Sequence, residues 1–513
     1  MSTPSPDHGP ERFLRTEHLQ QDLGGRAVRG GVITMLAQVG KFGFQIINMA
    51  VLARLLSPDD FGLVGMVTSL VGFLTIFKDL GLSAATIQRP EITHAQVSTL
   101  FWVNTGFGLL LAALTLAAAP LVTSFYHEPR LFIVTCTLAG GFVISGLSVQ
   151  HQALLRRQMH FATIMKIDLL ALGCGTMTAV ITGWLGYGYW ALVWLQLVLM
   201  TVTTVSSWIA CGWRPGGWHR ECGVRDMLGL GGWLAAFRMV SYWIQNVDNV
   251  LIGRFWGTQS LGYYMRAYQL LVMPLSQINL PIGEVTIPAL SRMTVEVQRY
   301  RDAYGKVLQM VLLLTLPVVV VTVGAADWVI EVVLGRQWIA AADIFMWLGI
   351  MAFAEPVRYT TSYLFISQGR TKEMFIAELV SSIFLVTAIV IGVMYSTKMV
   401  AICFAISSLL IRTPIVLWYV GRSGPVRTLE IYRIALPFIL ASLLALAALF
   451  GFRHSSYAAL PWINPLTGVI IATAITGSVF LLVLILIPGT RRSLKDVRKL
   501  LPMLRKSKAP ASS

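Results

Sequence analysis

Apolar residues in this chain come in long runs, without the short alternation of strands or the one-sided stripe of a surface helix. From Gly30 to Pro488 one apolar stretch follows another, separated by short polar turns. Each is about 20 residues long, enough to cross the hydrocarbon of a bilayer as a helix. The runs predict about fourteen spans, at 30–53, 60–84, 97–123, 131–154, 163–184, 187–211, 230–253, 260–288, 304–324, 339–367, 373–395, 398–420, 432–452 and 465–487. The loops are too short to hold a folded catalytic domain outside the membrane.

A second pattern lies over the first. VLARLLSPDDFGLVG (Val51–Gly65) returns 200 positions later as LIGRFWGTQSLGYYM (Leu251–Met265), so that Arg54 aligns with Arg254 and Gly62 with Gly262. This offset covers six crossings. An even number brings both copies into the membrane in the same direction, which makes a parallel repeat. The predicted fold is an all-α polytopic membrane protein of two parallel-repeat six-helix bundles plus two C-terminal helices. The boundaries read from the sequence are a disordered cytoplasmic tail (1–27), an N-terminal bundle (28–222), a C-terminal bundle (223–425), two additional helices (426–488) and a basic cytoplasmic tail (489–513).

The first helix of each copy carries polar residues at matching places: Gln38, Lys41, Gln45 and Asn48 in one, and Arg238, Ser241, Gln245 and Asp248 in the other. Their spacing projects each set into an arc of about 80° on a helix. Such a face is costly against lipid, so it should look onto water or other polar groups, and two inward-turned stripes would make a central cavity. Interhelical hydrogen-bonding glue is the bland alternative. It fits less well because Lys41 and Asp248 are ionisable.

Composition then agrees with a membrane protein. Hydrophobic residues make up 56% of the 513 residues and charged ones 12%, against about 25% charged in soluble domains. The net charge of +16 calls for no nucleic acid, because 28 of the 40 Lys and Arg fall on one side of the predicted spans or in the tails and 6 on the other. That asymmetry puts both termini in the cytoplasm. The N-terminal tail lacks a signal peptide's short apolar core and cleavage site. The five cysteines form no CxxC pair, the histidines show no ligand spacing, and no phosphate-binding loop is present. Ser57-Pro58-Asp59-Asp60 superficially resembles a metal-binding acidic pair. It reads better as a helix start, with Ser57 the cap and Pro58 the first helical residue. The tail RRSLKDVRKLLPMLRKSK reads as an orientation anchor.

Three arginines stand out at membrane depth. Arg238, Arg358 and Arg412 each lie about 12 Å from the cytoplasmic face by helix rise. Guanidiniums at one depth suit a polyanionic head such as a pyrophosphate, which their planar forks match. Glu355, one turn before Arg358, is a candidate partner, and Glu378 and Glu284 are also deep.

Several motifs together resemble a known family. DLGLSAATIQR (Asp79–Arg89), QVSTLFWVN (Gln96–Asn104), HQALLRRQMHF (His151–Phe161), LGYYMRAYQLLVMPLSQI (Leu261–Ile278) and IPALSR (Ile287–Arg292) look like the polysaccharide transporters of the multidrug/oligosaccharidyl-lipid/polysaccharide exporter superfamily. They are most similar to the WzxC-like lipopolysaccharide or exopolysaccharide flippases, over about residues 28–490. The resemblance implies two six-helix bundles in the bacterial inner membrane. It also implies movement of undecaprenyl-pyrophosphate-linked oligosaccharide to the periplasmic leaflet by alternating access. Related lipid II flippases place several Arg in their first bundle, whereas here the deep Arg are mostly in the second.

The expectation is therefore a flippase, not an enzyme, with no cofactor and no metal. Lys41, Arg238, Arg358 and Arg412 would bind pyrophosphate. Gln38, Gln45, Asn48, Gln245 and Asn249 would face the sugars, and Asp248 and Glu355 are candidates for the coupling ion. Expected partners are the lipid-linked oligosaccharide, membrane lipids and polysaccharide polymerase or export machinery. Two rivals remain: a gradient-driven small-molecule/cation antiporter of the same superfamily, which a cationic cavity disfavours, and a membrane glycosyltransferase or polymerase, which needs a long carboxylate-bearing external loop.

Overall fold

The computed structural model describes residues 23–78, 83, 86–87, 89, 92–218, 231–455 and 464–487. Residues 1–22, the C-terminal tail, most of the DLGLSAATIQR motif, Cys222 and the expected boundary at 222/223 lie outside the described residues, while 23–27 of the expected disordered tail form the start of a helix. The described chain is helical. Its first part comprises α1 (Leu23–Leu55), α2 (Pro58–Val71, continued by a 3-10 turn, Gly72–Lys78), α3 (His94–Tyr126), α4 (Arg130–Gly146), α5 (Val149–Arg157), α6 (Phe161–Trp184) and α7 (Trp190–Cys211). After it come α8 (Gly231–Ser291), α9 (Val297–Gly324), α10 (Ala326–Val333), α11 (Ala342–Met351), α12 (Glu355–Ser367) and α13 (Thr371–Val393). The last are α14 (Thr397–Ser407), α15 (Thr413–Ser423), α16 (Thr428–His454) and α17 (Pro465–Leu486).

Where they are described, the expected spans are mostly helical. Among the described residues, 10 helices are long and apolar enough to cross a membrane, or 11 when the bent pair Arg336–Met351 and Glu355–Ser367 counts as one span. This is fewer than fourteen for identifiable reasons. The stretches at 30–53 and 60–84 do not meet the test, and 230–253 and 260–288 are joined within α8. α8 is nonetheless broken where the sequence predicts a turn, because Gly257 takes φ 78° and ψ −176°, outside the helical region.

The chain forms two compact units, residues 1–262 and 263–513. In the first, α3 packs on α4, α6 on α7 and α1 on α6. Its clearest core gathers around Phe101, Leu154, Leu155, Ile167 and Trp213, where the buried His151 ring stacks on Trp208 at 4.4 Å. In the second unit, α9 lies against α16 and α17, the two helices outside the repeat. Their side chains Phe438, Ala441 and Phe480 enter the same core as Leu308 and Leu312.

The start of α2 forms as expected. Ser57 and Asp60 make a reciprocal capping box, with Pro58 in the first turn. Asp59 turns outward and receives Arg130 Nη1 at 2.9 Å. Arg130 also grips Glu128 at 2.9 Å, and this bonding holds the Glu128 carboxyl below the ordinary carboxylate range.

The matched glycines gain a physical reason here. A Cβ on Gly62 would collide with the backbone carbonyl of Thr258, and one on Gly262 with that of Pro58. Positions 58 and 258 are themselves related by the offset of 200. Each copy's glycine thus admits the other copy's backbone four residues earlier, and Thr258 Oγ1 adds a hydrogen bond to Asp59.

A second repeated feature runs at a different offset. After α5, Met159 takes φ 55°; after α12, Gly369 takes φ 69°. The closing bonds match as well: the Met159 and Gly369 N–H groups donate to Arg156 and Ile366, and those of His160 and Arg370 to Leu155 and Phe365. These turns are 210 residues apart, so the register of the repeat drifts by ten between its first and fourth spans. Gly369 has open space around its Cβ position, so an alanine there would suffer only from the left-handed backbone. Gly369→Ala should lose about 1 kcal/mol, read as a lowered melting temperature of the purified protein. A melting temperature unchanged from the parent would remove the argument.

Candidate functional site

Three of the expected cations have carboxylate partners, Lys41 in the first unit and Arg358 and Arg412 in the second. In the second unit, Glu355 and Arg358 stand one turn apart on α12 and make a two-pronged pair. Nη2 lies 2.7 Å and Nε 3.1 Å from the two carboxylate oxygens. Arg358 Nη1 also reaches Glu378 on α13, at 3.4 Å. The other Glu378 oxygen receives Arg412 Nη2 at 2.8 Å. Glu378 thereby joins two arginines that are far apart in sequence, and the four residues balance two positive charges with two negative ones.

Arg412 enters this network where its helix is locally underwound. Ser408–Arg412 forms a π-helical turn between α14 and α15. Pro414 follows directly, with no N–H to continue an α-helical ladder. The widened turn absorbs that loss: the Thr413 N–H and hydroxyl both bond the Ser408 carbonyl. Arg412 is left 8% exposed, and its Nε is buried without a hydrogen-bond partner.

The first-unit cluster centres on Lys41. Its Nζ lies 3.2 Å from Asp168 Oδ2, with side-chain exposures of 38% and 43%. Gln38, one turn earlier on α1, shares a cavity of about 110 Å³ with both, walled by Phe161, Ile164, Met165 and Leu169 of α6. Asp168 was missed in the sequence. Its signal was an acid inside a predicted span, two residues after Lys166 in MKIDLL.

The remaining expected residues lie elsewhere on α1 and α8. Gln45 and Asn48 are half-buried, and Asn48 Oδ1 has no hydrogen-bond partner. Gln245 is exposed. Asp248 is 4% exposed and accepts the Asn249 N–H at 2.8 Å, while Asn249 Nδ2 reaches Asn246 at 3.5 Å. Arg238 lies on α8 at a position whose side chain is outside the described residues. Among the described residues no group of three or more His, Cys, Asp or Glu could hold a metal ion, and Cys136, Cys174, Cys211 and Cys403 form no disulfide.

Comparison with known proteins follows from this geometry. A sequence profile described as "Polysaccharide biosynthesis protein" matches residues 51–343. The chain is 28% identical to the teichuronic acid biosynthesis protein TuaB of Bacillus subtilis (strain 168), over 64% of this chain and 68% of TuaB. It is 26% identical to the succinoglycan biosynthesis transport protein ExoT of Rhizobium meliloti (strain 1021), over 93% of this chain and 96% of ExoT. In fold it is similar to the lipid II flippase MurJ in an inward closed conformation. The TM-score is 0.68 at 12% identity, covering 90% of this chain and 98% of that one. An inward-facing multidrug resistance MATE family transporter matches with a TM-score of 0.56 at 14% identity, over 79% and 94% of the two chains. These likenesses show the fold, and with the apolar helices they mark a multi-pass membrane protein.

Proposed function

Because the chain belongs to the family of polysaccharide biosynthesis proteins, we propose that it is a flippase for undecaprenyl-pyrophosphate-linked oligosaccharide. In this reading it works by alternating access in the bacterial inner membrane, with both termini cytoplasmic. It delivers the head group to the periplasmic leaflet for lipopolysaccharide or exopolysaccharide assembly. The isoprenoid tail stays in the bilayer, and no bond of the substrate is made or broken.

One observation carries this reading: the Glu355–Arg358–Glu378–Arg412 network, set in helices otherwise built for lipid. Charge at that depth is costly and is kept where function needs it. A diphosphate offers what a guanidinium fork prefers. The longest bond of the network, Arg358 to Glu378 at 3.4 Å, is the one a phosphate oxygen displaces. Glu355 meanwhile keeps Arg358 aimed through its two-pronged contact. Arg238 adds positive charge, while Lys41, Gln38, Gln45, Asn48, Gln245 and Asn249 bond sugar hydroxyls. Asp248 takes the coupling cation or proton, with Glu355 the second candidate.

Purified protein in vesicles carrying fluorescent undecaprenyl-pyrophosphate oligosaccharide tests the proposal. The wild type is expected to move the head group across the bilayer. Arg238→Ala with Arg358→Ala, assayed at equal amounts of folded protein, should lose at least about tenfold in rate, the worth of a single charge-assisted hydrogen bond. No movement by the wild type would reject the function. A wild-type rate in the double variant would reject this site alone.

A further inference from the structure

We infer that Gln38, Lys41, Phe161 and Asp168 form a subsite for one neutral, hydroxyl-bearing sugar ring, and that Asp168 sets its preference against anions. The inference rests on the lipid-linked glycan reading and assigns one part of the head group within it.

The argument starts from how Lys41 is paired. A lone ammonium in a membrane protein would attract a phosphate. This one lies 3.2 Å from a carboxylate, so an incoming phosphate meets Asp168 as well as Lys41, and the two acids repel. A neutral polyol suffers no such conflict. The ammonium has two further protons to donate, the carboxylate has unused lone pairs, and the Gln38 amide can both donate and accept. Sugar hydroxyls, which are donors and acceptors at once, satisfy all three groups together. A phosphate ester can only accept.

The cavity lining completes the match. Phe161, Ile164, Met165 and Leu169, on the same helix as Asp168, line the cavity with apolar surface beside the charged pair. A pyranose ring has the same division, with C–H groups on its face and hydroxyls on its edge. The volume of about 110 Å³ limits the cavity to a single ring. The pair is about 40% exposed, so it is open to a ligand and is not a sealed structural bridge. The contrast with Arg358 and Arg412 is chemical. Those residues, though also paired with carboxylates, offer planar forks matched to phosphate, whereas Lys41 offers only a compact point charge.

Binding to the full-length protein in nanodiscs tests this, with two probes: polyprenyl diphosphate carrying a single glucose, and the same lipid without sugar. The wild type is expected to hold the glucosylated lipid about tenfold tighter, the worth of one or two hydrogen bonds. Asp168→Asn should erase that preference and tighten binding of the bare diphosphate, because Lys41 is released to it. Gln38→Ala should reduce the preference and leave the bare lipid unaffected. A purely structural role for the pair would weaken both probes by the same factor, and that result would overturn the inference. So would a wild type that does not distinguish the probes, with the transport function left standing. A wild type that binds neither probe would overturn both readings.

Discussion

Gly62→Ala combined with Gly262→Ala is expected to remove most of the folded protein recovered from membranes. Alanine ordinarily stabilises a helix interior by about 0.5–1 kcal/mol relative to glycine, so a loss here would reverse the usual sign. The reversal follows from what each Cβ would strike, namely the backbone carbonyls of Thr258 and Pro58. A flexible side chain could swing aside, but a backbone in the first turn of a helix cannot. On the α2 side that turn is fixed by the Ser57–Asp60 box and the Pro58 ring. Overpacking of this kind sits near the upper end of its range, about 3 kcal/mol per site. Two sites together then consume a large part of a total stability of about 5–15 kcal/mol. Gly40→Ala is the control, since no atom lies within 4 Å of its Cβ position. It should melt at or slightly above the wild-type temperature. A double variant that behaves like this control would show that the two copies do not approach so closely.

What the sequence could reveal here depended on range. Apolar runs are local, so the spans were legible, as was the cap at Ser57, where three neighbouring residues carry the signal. The offset of 200 exposed the repeat through Arg54/Arg254 and Gly62/Gly262, but a single offset hides drift. The turns at Met159 and Gly369 correspond at 210 and share no residue type at the left-handed position, so only backbone geometry reveals them. Within the candidate site, Arg358 and its neighbour Glu355 were readable as a one-turn pair. The link to Arg412 was not, because Glu378 is contributed by a third helix and Arg412 is presented by a π turn that no periodicity announces. Lys41 and Asp168 are separated by 127 positions. Their complementarity is visible only once α1 and α6 are placed side by side.

Glu378→Ala is expected to destabilise the protein by about 3–5 kcal/mol, the cost of leaving a buried charge without its partner. The loss falls mainly on Arg412. Arg358 keeps both bonds to Glu355, but Arg412, with 10% of its side chain exposed, gives up its ion pair while its Nε is already unsatisfied. The carboxylate's removal strands a guanidinium in a medium that cannot hydrate it. Removing both charges should therefore do less damage than removing one. Glu378→Leu with Arg412→Met leaves Arg358 and Glu355 as a neutral pair and should recover most of the lost stability, with a coupling energy of about 2–3 kcal/mol in the double-mutant cycle. The same double variant separates folding from transport. If the network also receives the diphosphate, the restored protein melts near the wild-type temperature yet moves lipid-linked glycan slowly, because one of its two planar forks is gone. A Glu378→Ala protein as stable as the wild type, or a double variant no more stable than Glu378→Ala alone, would mean that Arg412 is not held by this carboxylate.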